Sequence, residues 1–410
     1  MSRSPVRFLK PASIAWDVRA QAPDLLRALA EREPWVGALL PRLRREMPVA
    51  RTCGTFRAKP FIRPDGHHRA FYIEGRGPGV LCVKGAELLA ADLEAKLSTL
   101  SRPPAVLKPS SVEHLAIIEQ KIPMAMMLEE GLAQARKAAA FQTAHLARYG
   151  ELARIPVPLL VYRWGARDVS AFLKRLRPAL SPRAGRIAER LSAGGLSAMI
   201  YYYPTLPLRT LHLAQVVAGA EPRGFQDGLA KMRRYGSFFG ELPPPSEIAS
   251  RWIALTARML ALGFFPSDLS HWRDGQMLHE QNAVLDGGFV DVETLQPMSA
   301  VTDERSFYET FLLTWMDLSA SIKRLMTGYA DRADISWPFI DLSPAYLAVP
   351  ALVGCHVGAR LRERLREEAA NGARIDPRLL RALGAGESAD ELERVLGALF
   401  AEPSGKTPRG

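Results

Sequence analysis

The chain has 410 residues, 48% of them hydrophobic and 24% charged. That composition excludes a broadly disordered chain and fits one large domain or two to three modest ones. The formal net charge is +11, from 54 Lys+Arg against 43 Asp+Glu, a balance compatible with a nucleotide, nucleic acid or acidic lipid, though charge alone is weak evidence for nucleic acid.

In chain order, residues 14–46 are predicted to be helical, with helix-spaced leucines broken at two prolines. From Arg51 the pattern changes. "RTCGTFRAKPFI", "HRAFYIEG" and "GVLCVKG" are β-rich and are separated by the turn-type stretches "RPDGH" and "GRGPG". They predict a three-stranded antiparallel meander. "STLSRPPAVLKPSS" reads as a loop, and the segment from Glu113 to Tyr149 as helix with a C-cap at Gly150. "RIPVPLLVYRW" and "GLSAMIYYYP" are predicted strands flanking an amphipathic helical stretch over 167–193. Beyond "TLPLRT" the pattern is mostly helical, including "SEIASRWIALTARMLALG", until the tail "AEPSGKTPRG". Strands first and helices after define an α+β chain with two lobes. The expected organisation is a helical extension over 1–50, an N-lobe over 51–204, a helical C-lobe over 205–400 and a disordered tail over 401–410.

The cysteines, Cys53, Cys82 and Cys355, are far apart and form no CxxC pair. Neither a zinc site nor a disulfide framework is implied, and reduced thiols are expected. No stretch has the length and apolarity of a secretory signal or a bilayer span. The expectation is a cytoplasmic protein without a membrane span.

One stretch interrupts the helical half. In "MLHEQNAVLDGGFVDVETL", Met277 to Leu295, "NAVL" and "GFVDVET" alternate as strands do, and "DGG" is suited to a hairpin turn. A hairpin places Asn282, at the start of one arm, near Asp291, late in the other. An amide oxygen and a carboxylate at one edge make a hard-oxygen half-site, which Mg²⁺ completes with phosphate oxygens and waters. Glu293 is either a further metal ligand or an exposed strand residue. The bland alternative is that Asn and Asp simply favour hairpin ends. Upstream, Lys84 ends a predicted strand. It is a point charge for phosphates, steadied by a helix carboxylate such as Glu119, Glu129 or Glu130, or else a solvated lysine protecting a strand edge. Tyr201 to Tyr203 alternate between core and cleft in a hinge strand, where Tyr203 is placed to hold a nucleotide base.

The order strand lysine, helix glutamate, hinge strand, Asn-bearing loop and Asp-bearing arm resembles the protein-kinase-like superfamily, in its divergent small-molecule-kinase and ligase branches. "VDVE" resembles the "IDFE" ending of aminoglycoside and choline kinases. His279 to Asn282, spelled H-x-Q-N, resembles siderophore synthetases that adenylate a carboxylate. The resemblance covers roughly residues 50–325. It implies a bilobal fold with a small antiparallel N-lobe and a mostly helical C-lobe bearing a short catalytic hairpin. It implies ATP and Mg²⁺ as cofactors, Lys84 on the phosphates with a helix carboxylate such as Glu130 holding it, and Asn282 and Asp291 on the metal, with Glu293 adjacent. The chain departs from the kinase pattern at position 277, a methionine where a catalytic aspartate is expected, and it lacks GxGxxG before Lys84. Asp274 or Asp268 then become the candidate bases. His279 is either a packing histidine or a group near the transferred phosphoryl.

The function implied is an ATP- and Mg²⁺-dependent phosphotransferase acting on an unidentified small-molecule or peptide acceptor. The alternatives are an adenylating ligase and an inactive module that binds nucleotide or a partner. Their products differ: ADP, AMP with pyrophosphate, or neither.

Overall fold

The computed structural model describes residues 4–52, 57–58, 61–62, 70–94, 125–207, 209, 245–269, 277–278, 282–302 and 304–329. The chain divides into two compact units. Unit 1 comprises residues 1–143 and 156–206, and unit 2 residues 144–155 and 207–410. The protein is a mixed α and β chain whose strand pairings, among the described residues, are all antiparallel. No helix among these residues is long and apolar enough to cross a membrane.

Unit 1 is built on an eight-stranded sheet. Its strands are β2 (Ser13–Asp17), β4 (Arg57–Ala58), β5 (Phe61–Ile62), β6 (Ala70–Glu74), β7 (Val80–Lys84), β8 (Met126–Met127), β9 (Val157–Arg163) and β10 (Leu196–Tyr203). They lie in the order β2-β9-β10-β7-β6-β5-β4, with β8 paired to the start of β10. The meander predicted from turn spacing is present as β5, β6 and β7, and its first predicted strand is split into β4 and β5. β7 and β10 are buried along their whole length. This explains why "VLCVK" and "LSAMIYYY" do not alternate, since a strand covered on both faces has no polar side to show. The pairing of β9 and β10 shifts register where Tyr201 meets Pro158. Proline offers no N–H to the ladder, so the irregularity falls there.

The first fifty residues are not only helical. β1 (Val6–Leu9) pairs with β3 (Met47–Ala50), and β2 joins the main sheet beside β9. Between β2 and β3 run α1 (Val18–Gln21), α2 (Pro23–Arg32) and α3 (Pro34–Leu43). Prolines 23 and 34 start α2 and α3 at their first turns, where the missing N–H costs nothing. Pro41 lies inside α3 without ending it. The N-terminal strands escaped prediction because they are short and their partners are distant in sequence. The segment is tied to the sheet through tyrosines. Tyr162 donates to the Leu43 carbonyl at 2.6 Å, and Tyr202 to the Glu33 carboxylate at 2.8 Å. Burial holds both phenols well above their ordinary range.

After β8 comes α4 (Leu128–Tyr149), which packs Gly131 against Ser197 of β10. β9 and β10 are linked by α5 (Ala166–Leu176) and α6 (Pro182–Ser192). Gly85, just past β7, has φ +77°, and a Cβ there would stand 2.7 Å from the Ser197 carbonyl oxygen. Only glycine fits that turn.

Unit 2 holds α7 (Pro245–Ala261), the strand pair β11 (Phe264–Phe265) and β12 (Gln296–Pro297), and α8 (Glu304–Tyr329). The remainder of the helical stretch expected beyond Tyr329, and the tail over 401–410, lie outside the described residues. The predicted hairpin sits between β11 and β12. Ala283 bridges Phe289, Val284 N–H donates to Gly288 at 2.9 Å, and the turn is closed by Gly287 N–H to Val284. Gly287 has φ +94°, and a Cβ there would lie 2.4 Å from Arg251 Cβ. Gly287→Ala should therefore cost about 1–3 kcal/mol, combining a left-handed alanine with a clash against a stem atom that cannot rotate away. Urea unfolding reads this directly, and a variant as stable as wild type would show that the turn relaxes freely.

Candidate functional site

In unit 1, Lys84 ends β7 between Ala70 of β6 and Met199 of β10, and is 8% exposed. It is neither an edge residue nor a solvated one, which removes the edge-protecting alternative. Its Nζ donates to Gln134 Oε1 at 3.4 Å, and Gln134 Nε2 donates to Glu130 Oε1 at 3.2 Å. Gln134 is itself buried. The two α4 side chains are four residues apart and so share a helix face. The sequence offered Glu119, Glu129 or Glu130 as the carboxylate behind the lysine, and the structure interposes the Gln134 amide between Lys84 and Glu130. Gln134 carried a signal that was readable, its i+4 spacing from Glu130. Glu129 is exposed, and Glu119 lies outside the described residues. Glu87, three residues beyond Lys84, is a wholly buried carboxylate that no sequence pattern marked. Tyr203 ends β10 opposite Val80 and is wholly buried, so its ring presents no open stacking face in this conformation.

In unit 2, the hairpin carries the expected amide and carboxylate. Val290 N–H donates to the Asn282 carbonyl at 2.9 Å, which places Asn282 beside the residue preceding Asp291. Beyond Val290 the second arm is not a strand. Asp291 takes φ 63° and ψ 75°, and residues Val292–Thr294 form a 3₁₀ turn. Asp291 is the one described non-glycine residue with positive φ. Such a conformation is sparsely populated for non-glycine residues and persists where its surroundings impose it. The alternating pattern of "FVDVET" misled because one left-handed residue reverses the chain without changing the pattern. Glu293 consequently lies in the 3₁₀ turn, half-buried.

The two hairpin aspartates have different surroundings. Asp286 is 5% exposed and belongs to the turn. Its Oδ1 accepts from Gly288 N–H at 2.9 Å, and its carbonyl accepts from Arg154 at 2.7 Å and Arg251 at 3.1 Å. That carboxylate is structural. Asp291 is half-buried and holds the left-handed backbone just described.

The hairpin is held rigidly from below. Trp252 of α7 donates its indole N–H to the Val284 carbonyl at 2.9 Å and stacks on Phe289. Upstream, Met277 N–H donates to Thr294 Oγ1 at 2.9 Å, Thr294 donates to the Pro266 carbonyl at 2.7 Å, and Ser321 of α8 donates to the Leu278 carbonyl. Arg209, from the "TLPLRT" segment, donates from Nη1 to Asn282 Oδ1 at 3.4 Å. Its contact with Asn282 spans 73 positions and could not be read from spacing. Asn282 is 5% exposed.

His279, Gln281 and Asp274 lie outside the described residues, while Asp268 is half-buried before them. Among the described residues no group of three or more His, Cys, Asp or Glu side chains is arranged to hold a metal. Asn282 and Asp291 supply oxygens for a hard cation, which would need waters or phosphate oxygens to complete its shell.

α8 carries a half-buried titratable group, Asp317. Asp317 lies on the helix between Thr314 and Ser321, with a buried Oδ2 that has no hydrogen-bond partner among the described residues. Burial pushes its carboxyl up to about 7. Its folded pKa is above its unfolded one, so the native state binds the extra proton between about pH 4 and 7, and stability falls as pH rises through that window. Asp317→Asn should flatten this fall and raise stability above pH 7 by roughly 1–3 kcal/mol. Superimposable pH profiles of melting temperature for wild type and variant would contradict it.

Comparison of the sequence with protein-family models and with curated proteins finds no match.

Proposed function

We propose that the protein is an ATP- and Mg²⁺-dependent phosphotransferase with a bilobal, kinase-like fold, acting on a small-molecule or peptide acceptor. The observation that carries this reading is the anchoring of Lys84. A buried lysine at the end of a sheet strand, held through Gln134 and Glu130 by the helix that follows, has the form of a phosphate-binding lysine steadied by a helix carboxylate. The strained Asp291 beside Asn282 supports the metal assignment.

In this reading Lys84 neutralises phosphate charge and Asn282 and Asp291 ligate Mg²⁺, with Glu293 adjacent. The Mg²⁺ would polarise the phosphate oxygens, so catalysis is chiefly positioning and charge stabilisation. His279 and Asp274 are assigned to the acceptor side. Incubation with ATP, Mg²⁺ and a metabolite extract tests the reading: ADP should accumulate. AMP with pyrophosphate would indicate an adenylating ligase instead.

One observation favours a second reading, a nucleotide-binding module without turnover. The Arg209 guanidinium occupies the Asn282 oxygen that a metal would use. ATP binding with neither ADP nor AMP formed would select it.

A further inference from the structure

Unit 1 contains a cavity of about 720 Å³ that plays no part in the proposed reaction. Its walls are one face of α5, the last turn of α6 and the Gly194–Gly195 link into β10. The volume falls within the roughly 300–1,000 Å³ of small-molecule sites.

The lining combines two chemistries. Trp164, Val169 and Leu173 form an apolar surface. Trp164 is 4% exposed, and its indole N–H donates to the Gly85 carbonyl at 3.2 Å, so the ring is fixed in place. Around it stand three cations, Arg163 at the end of β9, Lys174 on α5 and Arg177 just past its end, against one carboxylate, Glu189. Among the described residues none of these charged side chains makes an ion pair or side-chain hydrogen bond, so the lining carries two positive charges in excess. Arg175 of α5, between Lys174 and Arg177, is by contrast engaged with Glu94 and the Ala90 carbonyl. The charged groups of the lining are exposed, so water screens their repulsion, and an anion seated in the concavity still meets a net positive field.

We propose that this cavity binds a phosphorylated small molecule, its phosphate held by Arg163, Lys174 and Arg177 and its body resting on Val169 and Leu173, beside the small exposed edge of Trp164. A phosphate monoester carries about two negative charges at neutral pH, which matches the excess. Arginine forks suit its oxygens, and the apolar side chains of α5 suit a ring or apolar body.

The test is calorimetry on the full chain at low salt with phenyl phosphate, inorganic phosphate and benzoate. Phenyl phosphate should saturate one site, with inorganic phosphate and benzoate each at least about tenfold weaker, since one lacks the body and the other the second charge. Lys174→Glu with Arg177→Glu, both at exposed positions, should weaken phenyl phosphate by at least about tenfold while leaving the melting temperature unchanged. Trp164→Phe should remove a fluorescence response while calorimetric binding persists. Absence of saturable binding up to about 10 mM, well beyond millimolar affinity, overturns the proposal. So does equal binding by the double variant. Loss of binding in Lys84→Met, with binding kept in the double variant, would move the anion to Lys84. Binding to phosphatidic acid vesicles with none of free phenyl phosphate would overturn the assignment of a soluble ligand.

Discussion

Asp291→Asn should abolish Mg²⁺-dependent ATP turnover and leave the melting temperature nearly unchanged. Asparagine keeps the size of the side chain, and it tolerates the left-handed conformation about as well as aspartate does. Only the charge is lost. A metal ligand contributes several kcal/mol of charge stabilisation in the transition state, so turnover should fall by about a thousandfold or more. Asp291→Gly separates chemistry from architecture further. Glycine takes φ 63° without strain, so the fold should be kept or slightly stabilised while activity is still lost. Steady-state kinetics and thermal melts on the two variants decide the matter. A large drop in stability with turnover intact would make Asp291 a structural residue like Asp286.

Lys84→Met should reduce ATP affinity or turnover by roughly tenfold to a few hundredfold. The loss of a charge-assisted hydrogen bond to phosphate is worth about 1.5–3 kcal/mol, which converts to that range. Because Lys84 is 8% exposed and donates to Gln134, the substitution also leaves a buried amide oxygen without that donor. A stability cost of about 1–3 kcal/mol is expected alongside. The two effects are separable: a purely structural lysine would show the stability cost with nucleotide binding unaltered. Lys84→Arg should not restore binding, because a planar fork does not replace a compact ammonium among the packed strands β6, β7 and β10. Calorimetric titration of ATP into wild type and both variants, with turnover in parallel, is the measurement. Undiminished binding and turnover in Lys84→Met would remove the lysine from the site.

The amino-acid sequence by itself determined the local pieces. The turn chemistry of "DGG" set the hairpin, and turn-type stretches together with continuous apolar runs set β6, β7, β9 and β10. These features depend on residues a few positions apart, where turn preference and periodicity act directly. The juxtaposition of Asn282 with the Asp291 end followed from hairpin pairing alone. Only the tertiary structure decided the rest. It placed Lys84 inside a sheet rather than on an edge, because β10 returns to pair with β7 from more than a hundred residues away. It set Gln134 between Lys84 and Glu130, and it put Arg209 on the Asn282 amide. It turned Asp291 into the left-handed region, a conformation that packing imposes and no side-chain pattern records. It also gathered Arg163, Lys174 and Arg177 around one cavity, though in sequence they are scattered charges on a strand end and a helix face. Each of these depends on contacts between distant segments, whose energies exceed local preference only once the chain has folded.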